Sequence, residues 1–278
     1  MEKRNFLNKV KRGENVYGTS IVSTSPVWAN VAHNAMLDFV FVDLEYNTDL
    51  YNEIANLSQT YKSLGIIPLV RIPNTDYYTA CMVRDAGAIG LVVPYIERVE
   101  QVRDLVGATK YRPLKGVFLR NVITGKVKLT GNLESYISDF NKESICIITI
   151  ESKAGLVNLD ALLNVPGLDG VIIEPRNLSV SMRIPEEYEN PRFEKAIKEI
   201  IHRTRDKGLV VGVHLPGNPE LQIKYMKEGC NMILHGSDIS LYEQKLLEDL
   251  ANIKKSAEEI SEKEQWDLPL SQIPDELK

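Results

Sequence analysis

Short, nearly continuous apolar runs recur along the chain. Strands that are buried on both faces of a parallel sheet have this pattern, whereas half-exposed strands alternate apolar and polar residues. The runs predict eight such strands, at Val16–Val22, Phe39–Leu44, Ile67–Ile72, Gly90–Pro94, Ile145–Glu151, Val171–Glu174, Leu209–Leu215 and Met232–Gly236.

Segments with helical periodicity separate these runs. The clearest are Tyr51–Leu64, Tyr77–Ala86, Val99–Thr109, Leu156–Asn164, Pro191–Lys207, Glu220–Glu228 and Ile239–Lys255. Several end at a glycine, which is the residue best suited to close a last helical turn. The repeated alternation predicts one (β/α)8 TIM barrel over residues 1–255. We expect the charged segment 256–278 either to pack on a neighbouring subunit or to be partly mobile.

The interval between the fourth and fifth strands, Lys110 to Ser144, is longer than the others. It contains a second apolar piece, Gly116–Leu119, and a basic stretch, Arg120–Gly131. We predict an excursion at the mouth of the barrel. A functional loop and a subunit-contact loop are equally compatible with this pattern.

The bulk composition narrows the classes of partner and compartment. Hydrophobic residues make up 44% and the formal net charge is -5, so charge alone does not recruit nucleic acid or an anionic membrane. No apolar run is long enough to span a bilayer, and the first residues do not form a signal peptide. The three cysteines form no C-x-x-C pair, which favours reduced thiols in the cytoplasm over disulfides or a zinc site.

Charged residues end the second and third predicted strands, and barrel enzymes carry their chemistry at such strand ends. Asp43 and Glu45 are two residues apart and therefore face one side. Paired carboxylates need a cation, a metal or hydrogen-bond donors. Arg71 ends an apolar strand, and its guanidinium suits a carboxylate or phosphate. We predict an anion-binding role for Arg71, which is compatible with pairing to Glu45.

Polar side chains also follow the later strands. Glu151 ends the fifth strand and Asn177 follows the sixth, and neighbouring oxygen ligands of this kind suit Mg2+ or Mn2+. His214 and His235 lie near the ends of the last two strands, where packing and acid–base roles are both open. Ser237 precedes a helix whose first N–H groups would face an anion.

The order and spacing of these motifs resemble the metal-dependent 2-oxo-acid aldolases of the HpcH/HpaI family. The motifs are Asp43-x-Glu45, Val70-Arg71, Asp85-Ala86-Gly87, Val92-Val93-Pro94, Ile150-Glu151, Gly170-Val171-Ile172-Ile173 with Leu178-Ser179, and Gly236-Ser237-Asp238. The resemblance covers about residues 5 to 255. It implies a pyruvate-type TIM barrel, commonly hexameric, and a divalent metal such as Mg2+ or Mn2+. It also implies carbon–carbon bond chemistry on a small 2-oxo acid through a pyruvate enolate.

The resemblance also implies roles for particular residues. Glu151 and Asn177 would hold the metal, although the family has an aspartate at the second position. Arg71 would bind the 2-oxo acid and stabilise the enolate. Glu45 would orient metal-bound water or Arg71. Asp85 would lie near the site, supplied by a neighbouring subunit in many members.

Two further positions depart from the family. Tyr46 stands where the aldolases have a proton-transferring histidine, and a phenol is a base at neutral pH only if its pKa is depressed. Glu174-Pro175-Arg176 replaces a Gly-Pro-Ala turn, so Glu174 either restores a carboxylate or crowds the oxo-acid site. We expect Pro175, Arg176 and Ser237 to bind substrate.

Three functions are compatible with these residues. The first is an aldolase-type carbon–carbon lyase. The second is a condensing enzyme, such as a siderophore-type citrate synthase using oxaloacetate and acetyl-CoA, with Arg120–Lys128 meeting the CoA phosphates. The third is a barrel that has lost catalysis and binds a small acid. The presence of both Arg71 and Glu151 favours an enzyme.

Overall fold

A computed structural model of the chain describes residues 6–47, 52–215 and 217–266. Its strands form a closed parallel barrel in sequence order, with β8 pairing back to β1. The strands are β1 (Val16–Ile21), β2 (Phe39–Asp43), β3 (Ile67–Arg71), β4 (Gly90–Val93), β5 (Ile145–Ile150), β6 (Gly170–Ile173), β7 (Val210–His214) and β8 (Met232–Ser237). The predicted (β/α)8 barrel is therefore confirmed.

Helices precede and connect the strands, and one further helix follows the last strand. Among the described residues they are α1 (Phe6–Lys11), α2 (Val27–Asn34), α3 (Ile54–Ser63), α4 (Tyr77–Asp85), α5 (Val99–Lys110), α6 (Gly116–Ile123), α7 (Gly131–Asn141), α8 (Lys153–Val157), α9 (Leu159–Leu163), α10 (Pro175–Ser181), α11 (Pro191–Asp206), α12 (Pro219–Lys227) and α13 (Asp238–Trp266). The predicted helix Leu156–Asn164 is instead the pair α8 and α9, which meet at Asn158. The predicted start of α3, Tyr51, lies outside the described residues.

Alternation of side chains along each strand produces two apolar layers. Phe41, Leu69 and Ile172 belong to the cluster that fills the barrel interior. Their neighbours Val42 and Val70 belong to the larger cluster between the strands and the surrounding helices. Because β2 to β7 are buried on both sides over nearly their whole length, their sequences are mostly apolar, and this explains why the barrel could be predicted.

The segment between α5 and β5 forms α6 and α7 at the amino-terminal end of the barrel. Helix α5 runs antiparallel to the strands and returns the chain to that end. Lys110, the last residue of α5, pairs through Nζ with Asp169 at 2.6 Å, and Asp169 directly precedes β6. The predicted excursion at the barrel mouth is therefore wrong, because a connection that follows a barrel helix begins opposite the mouth.

The chain divides into two compact units, one ending at Asp238 and the other beginning at Ile239. Helix α13 forms the described part of the second unit and continues to Trp266, past the predicted helix end at Lys255. Among the residues described, no helix has both the length and the apolar character that a bilayer span requires.

Gly170, the first residue of β6, gives a test of barrel packing. A Cβ atom there would lie 2.6 Å from the backbone oxygen of Val210, which cannot move without disturbing β7. We expect Gly170→Ala to lower the free energy of unfolding in urea by about 1–3 kcal/mol. Gly107→Ala is the matched control. Gly107 lies inside helix α5, and a Cβ atom there would lie 3.5 Å from the side chain of Ile123, an ordinary contact distance. A Gly170→Ala protein as stable as this control would contradict the packing described here.

Candidate active site

At the carboxyl ends of five strands, polar side chains replace the apolar interior layer. Asp43 and Arg71 end β2 and β3, and His214 ends β7. Glu151 and Glu174 directly follow β5 and β6. Each continues the inward-facing series of its strand, because residues two apart lie on one side. The mouth of the barrel therefore holds one cluster of charged groups above an apolar interior.

Arg71 lies at the centre of this cluster and is only 2% exposed. Its Nε and Nη2 donate to Asp43 Oδ1 and Oδ2 at 2.9 and 2.5 Å, a two-pronged pairing that fixes the guanidinium plane. Nη1 donates to Glu174 Oε1 at 2.7 Å. Glu45 Oε2 lies 3.2 Å from Nε. Three carboxylates therefore surround one guanidinium.

Two aromatic rings contact the same guanidinium. Arg71 Cζ lies 5.4 Å from the ring centroid of Phe41 and 5.2 Å from that of Tyr46. Phe41 also contacts the ring of His214, with centroids 5.5 Å apart. Cations are attracted to aromatic faces at these distances, so the rings and carboxylates together hold Arg71 in place.

The cluster keeps Arg71 positively charged. Burial alone would lower the pKa of Arg71, but the hydrogen bonds of Asp43 and the charges of Glu174, Asp43 and Glu45 outweigh burial and raise it. A guanidinium fixed and charged in this way is a permanent electrostatic feature of the barrel mouth.

Negative charge nevertheless exceeds positive charge among the clustered residues, since Asp43, Glu45, Glu151 and Glu174 face one arginine. Burial is the largest cause of the raised pKa of Glu45, and the charges of Glu151 and Asp43 raise it further. Glu45 Oε2 is also a buried oxygen without a hydrogen-bond partner. Such a cluster has a physical preference for an additional cation.

Glu151 and Asn177 form a second group of contacts in the mouth. Glu151 Oε1 accepts hydrogen bonds from Thr149 Oγ1 at 2.8 Å and from the backbone N–H of Tyr95. Its Oε2 accepts from Asn177 Nδ2 at 2.7 Å. The carboxylate is buried and firmly oriented, and it directly neighbours an amide.

The side chains of Glu151 and Asn177 are suitable ligands for a divalent ion in an open site. A carboxylate and an amide oxygen are hard ligands of the type that Mg2+ and Mn2+ take, and an amide exchanges its nitrogen and oxygen by rotation. The excess of negative charge favours a cation here, although Glu45 Oε2, which accepts no hydrogen bond, already lies 3.2 Å from Arg71 Nε. Within the described ranges, no three His, Cys, Asp or Glu residues form a metal-binding group. Water and substrate would therefore have to complete the coordination of an ion held by Glu151 and Asn177.

Tyr46 does not have the properties of a base. Tyr46 is 69% exposed, yet partial desolvation of its phenol is the largest influence on its pKa and raises it. A hydrogen bond with Asn177 offsets this only in part. The phenol is therefore protonated at neutral pH, and the depressed pKa that a base at this position requires is not found.

Two predicted residues lie outside the cluster. Asp85 is the last residue of α4 and pairs with Arg112, so it lies at the amino-terminal end of this chain's barrel. Arg176 is exposed and pairs with Glu186, with Nε 3.2 Å from Oε1. Within one chain, the structure brings neither residue to Arg71. The family contact of Asp85 with a neighbouring subunit's site stays a prediction.

The remaining predicted substrate-binding residues lie on the rim of the barrel. Pro175 is buried at the first position of α10. Ser237 ends β8 and pairs with Ser20 of β1 in the sheet register. Both follow or end strands at the mouth, as expected, but neither belongs to the charged cluster around Arg71.

Tyr95 is a residue of the cluster that the sequence did not indicate. Its hydroxyl donates to Glu45 Oε1 at 2.6 Å, and this hydrogen bond is the largest cause of the raised pKa of Tyr95. Its backbone has a φ of 59°, which turns the N–H toward Glu151. Its position directly after Pro94, at the end of a strand, was the one feature of the sequence that pointed to the site. The sequence does not predict a left-handed φ at a tyrosine, because residues other than glycine rarely adopt it.

Comparisons with known proteins agree with the barrel fold. The model of the HpcH/HpaI aldolase/citrate lyase family matches residues 18–244. The chain belongs to this family. The 2-keto-3-deoxy-L-rhamnonate aldolase of Klebsiella pneumoniae is 32% identical over 260 residues, which cover 93% of this chain and 96% of the relative.

Solved structures of the HpcH/HpaI fold match over nearly the full chain. An HpcH/HpaI aldolase from Desulfitobacterium hafniense has a TM-score of 0.77 and 25% identity, covering 90% of this chain and 96% of that one. Citrate synthase SbnG has the same TM-score of 0.77 at 24% identity, covering 92% and 99%. At this identity, the likeness to SbnG shows the fold alone.

Proposed function

We propose that this chain is an aldolase-type carbon–carbon lyase that cleaves a hydroxylated 2-oxo acid at the barrel mouth. The observation that carries the proposal is the buried Arg71 in one cluster with the oriented Glu151–Asn177 pair. The relative from Klebsiella pneumoniae supports a sugar-derived 2-oxo acid as substrate. The pairing of Arg71 with Asp43 fixes the guanidinium at the mouth, and a fixed cation there would stabilise negative charge that develops during bond cleavage.

Each group of the cluster has a role in such a reaction. A divalent ion held by Glu151 and Asn177 would polarise the 2-oxo group when bound. Thr149 and the Tyr95 N–H orient Glu151. Arg71 supplies positive charge where the breaking bond leaves negative charge. Glu174 already occupies Arg71 Nη1, so direct binding of the substrate carboxylate by Arg71 would have to displace Glu174.

The structure removes one reason for proposing a condensing enzyme that uses oxaloacetate and acetyl-CoA. It relied on Arg120–Lys128 meeting the phosphates of CoA at the barrel mouth. That segment follows α5 and begins at the amino-terminal end of the barrel. The fold shared with SbnG does not choose between cleavage and condensation.

Thermal shift of the metal-free protein tests whether the proposed site is intact. A ligand that binds only the native state raises the melting temperature. We expect Mn2+ or Mg2+ to stabilise the protein, and pyruvate or oxaloacetate to add to this only when the ion is present. If neither ion nor oxo acid changes the melting temperature, the proposed metal-assisted site is wrong.

Tyr46→Phe tests the conclusion that Tyr46 is not the base. Because the phenol is protonated at neutral pH, its removal deletes only a hydrogen bond with Asn177. We expect kcat/KM for cleavage to stay within about threefold of the wild-type value. A loss of roughly 10²-fold or more, the usual contribution of an acid–base group, would restore Tyr46 to proton transfer.

We also propose that the enzyme works in the cytoplasm as a homo-oligomer, as the family resemblance implies. The cysteines support a reducing compartment: Cys81, Cys146 and Cys230 are all free, and burial raises the pKa of Cys146 to about 12. Light scattering of the purified protein gives the oligomeric state.

A further inference from the structure

We propose that Glu174 and His214 form the acid–base pair of this site, and that His214 performs the proton transfer. The inference rests on the proposed lyase function. It assigns a reaction role to two residues at the ends of neighbouring strands β6 and β7.

The geometry joins the two side chains directly. His214 Nδ1 lies 3.1 Å from Glu174 Oε1 and 3.2 Å from Oε2. The His214 side chain is 16% exposed and packs against the ring of Phe41. The imidazole is therefore held by a carboxylate on one side and an aromatic ring on another, which fixes its orientation at the top of the barrel interior.

This pairing determines which nitrogen is available. A carboxylate only accepts hydrogen bonds, so it selects the tautomer with the proton on Nδ1 and the lone pair on Nε2. No hydrogen bond to Nε2 is formed by the described residues, although the side chain retains access to solvent. Nε2 can therefore take a substrate proton, and Glu174 stabilises the imidazolium that results, as in other carboxylate–histidine pairs.

The charged side chains around the Glu174–His214 pair come from the ends of β2 and β3. Arg71 of β3 shares Glu174 Oε1 with His214. From the end of β2, Asp43 and Glu45 pair with Arg71 in turn. These contacts hold Glu174 in position for His214.

His235 offers a contrast on the neighbouring strand β8. Its Nδ1 lies 3.0 Å from the side-chain oxygen of Gln222, and no acidic side chain of the described residues pairs with it. The two histidines therefore have different partners, and only His214 is in the charged cluster.

The proposed step conserves atoms and electrons. His214 Nε2 takes the proton of the substrate's β-hydroxyl, the adjacent carbon–carbon bond breaks, and the hydroxyl-bearing fragment leaves as an aldehyde. The electron pair of the broken bond passes to the carbon next to the 2-oxo group and forms the enolate. The imidazolium then returns the proton to that carbon, which gives the shortened 2-oxo acid. No oxidant or further reactant is required.

His214→Gln tests the pair, with His235→Gln as the matched control. We expect His214→Gln to lower kcat for cleavage by roughly 10²-fold, with KM within about threefold, while His235→Gln changes neither markedly. The acid-side limb of kcat/KM against pH reports the essential base of the free enzyme and should disappear only in His214→Gln. Added imidazole should partly restore His214→Ala, an effect that a merely structural role of His214 does not produce. Circular dichroism verifies that each variant is folded.

The outcomes separate this inference from the proposed function. Exchange of the pyruvate methyl protons with deuterium, followed by NMR, gives a second readout of proton transfer. If the wild-type protein cleaves a 2-oxo acid and His214→Gln retains both its kcat and its pH profile, the pair is wrong and the lyase stands. If the wild-type protein neither cleaves any hydroxylated 2-oxo acid nor exchanges these protons, the lyase proposal fails and the pair fails with it.

Discussion

Replacing Arg71 with methionine is expected to lower the free energy of unfolding by about 3–5 kcal/mol, because it leaves buried carboxylates without their cation. Asp43 and Glu174 lose direct hydrogen bonds, and Glu45 loses its ion pair. Loss of the charge that stabilises the breaking bond should also lower kcat/KM by roughly 10³-fold. Urea unfolding and the cleavage assay measure the two effects separately.

The destabilisation by Arg71→Met should depend on pH. Burial raises the pKa of Glu45 even beside Arg71, and the charge of Arg71 opposes that rise. Without the arginine, the folded-state pKa rises further above the unfolded value. A carboxyl with a raised folded-state pKa stabilises the fold below its unfolded pKa and loses this contribution as the pH rises through the folded pKa. The deficit should therefore be larger at pH 8 than at pH 5.

Arg71→Lys is the matched control for this prediction. A lysine keeps the charge but cannot contact Asp43 with a planar fork. We expect it to recover part of the stability and little of the activity. An Arg71→Met protein that unfolds within about 1 kcal/mol of the wild type, at both pH values, would contradict the described role of Arg71 in the cluster.

Replacing Glu151 with glutamine is expected to abolish the stabilisation by Mn2+ or Mg2+. The substitution removes the one charged ligand of the proposed ion while keeping nearly the same shape. Loss of several kcal/mol of metal-derived stabilisation in the transition state corresponds to a fall in kcat/KM of roughly 10³-fold. Melting temperatures are compared with and without metal for each variant, so any intrinsic stability cost of the substitution cancels.

Glu187→Gln provides a matched control on the surface. Glu187 also accepts a hydrogen bond from an asparagine, Asn190, at 2.8 Å, but this pair is exposed. We expect the control to retain the metal-dependent rise in melting temperature and the activity. If Glu151→Gln retains the rise as well, the ion binds elsewhere.

The sequence was sufficient to predict the barrel and part of the cluster at its mouth. Strands that are buried on both faces require nearly continuous apolar runs, and this made β2 to β7 recognisable. Arg71, Glu45 and Glu151 were identifiable because charge at the end of such a run has no role in packing. The contact of Arg71 with Glu174 across the barrel depends on barrel closure, which a linear pattern does not contain.

The other differences have local physical causes. Arg176 follows Pro175 in the first turn of α10, and its side chain pairs outward with Glu186. Tyr95 joins the cluster through a left-handed backbone that the sequence does not indicate. The sequence alone did not assign proton transfer to His214, because a histidine at a strand end is equally typical of packing. The proposal depends on the position of Glu174 beside His214 Nδ1, which only the structure shows.

Cleavage of a hydroxylated 2-oxo acid by the metal-loaded protein is the decisive test of the proposed lyase activity. Release of pyruvate and of the matching aldehyde is followed over time, with 2-keto-3-deoxy sugar acids among the substrates and with Arg71→Met and Glu151→Gln as controls. Our account predicts turnover by the wild type that depends on the added ion and is lost in both variants. Absence of turnover by the folded, metal-loaded wild type on every such substrate, or turnover by both variants at the wild-type rate, would contradict it.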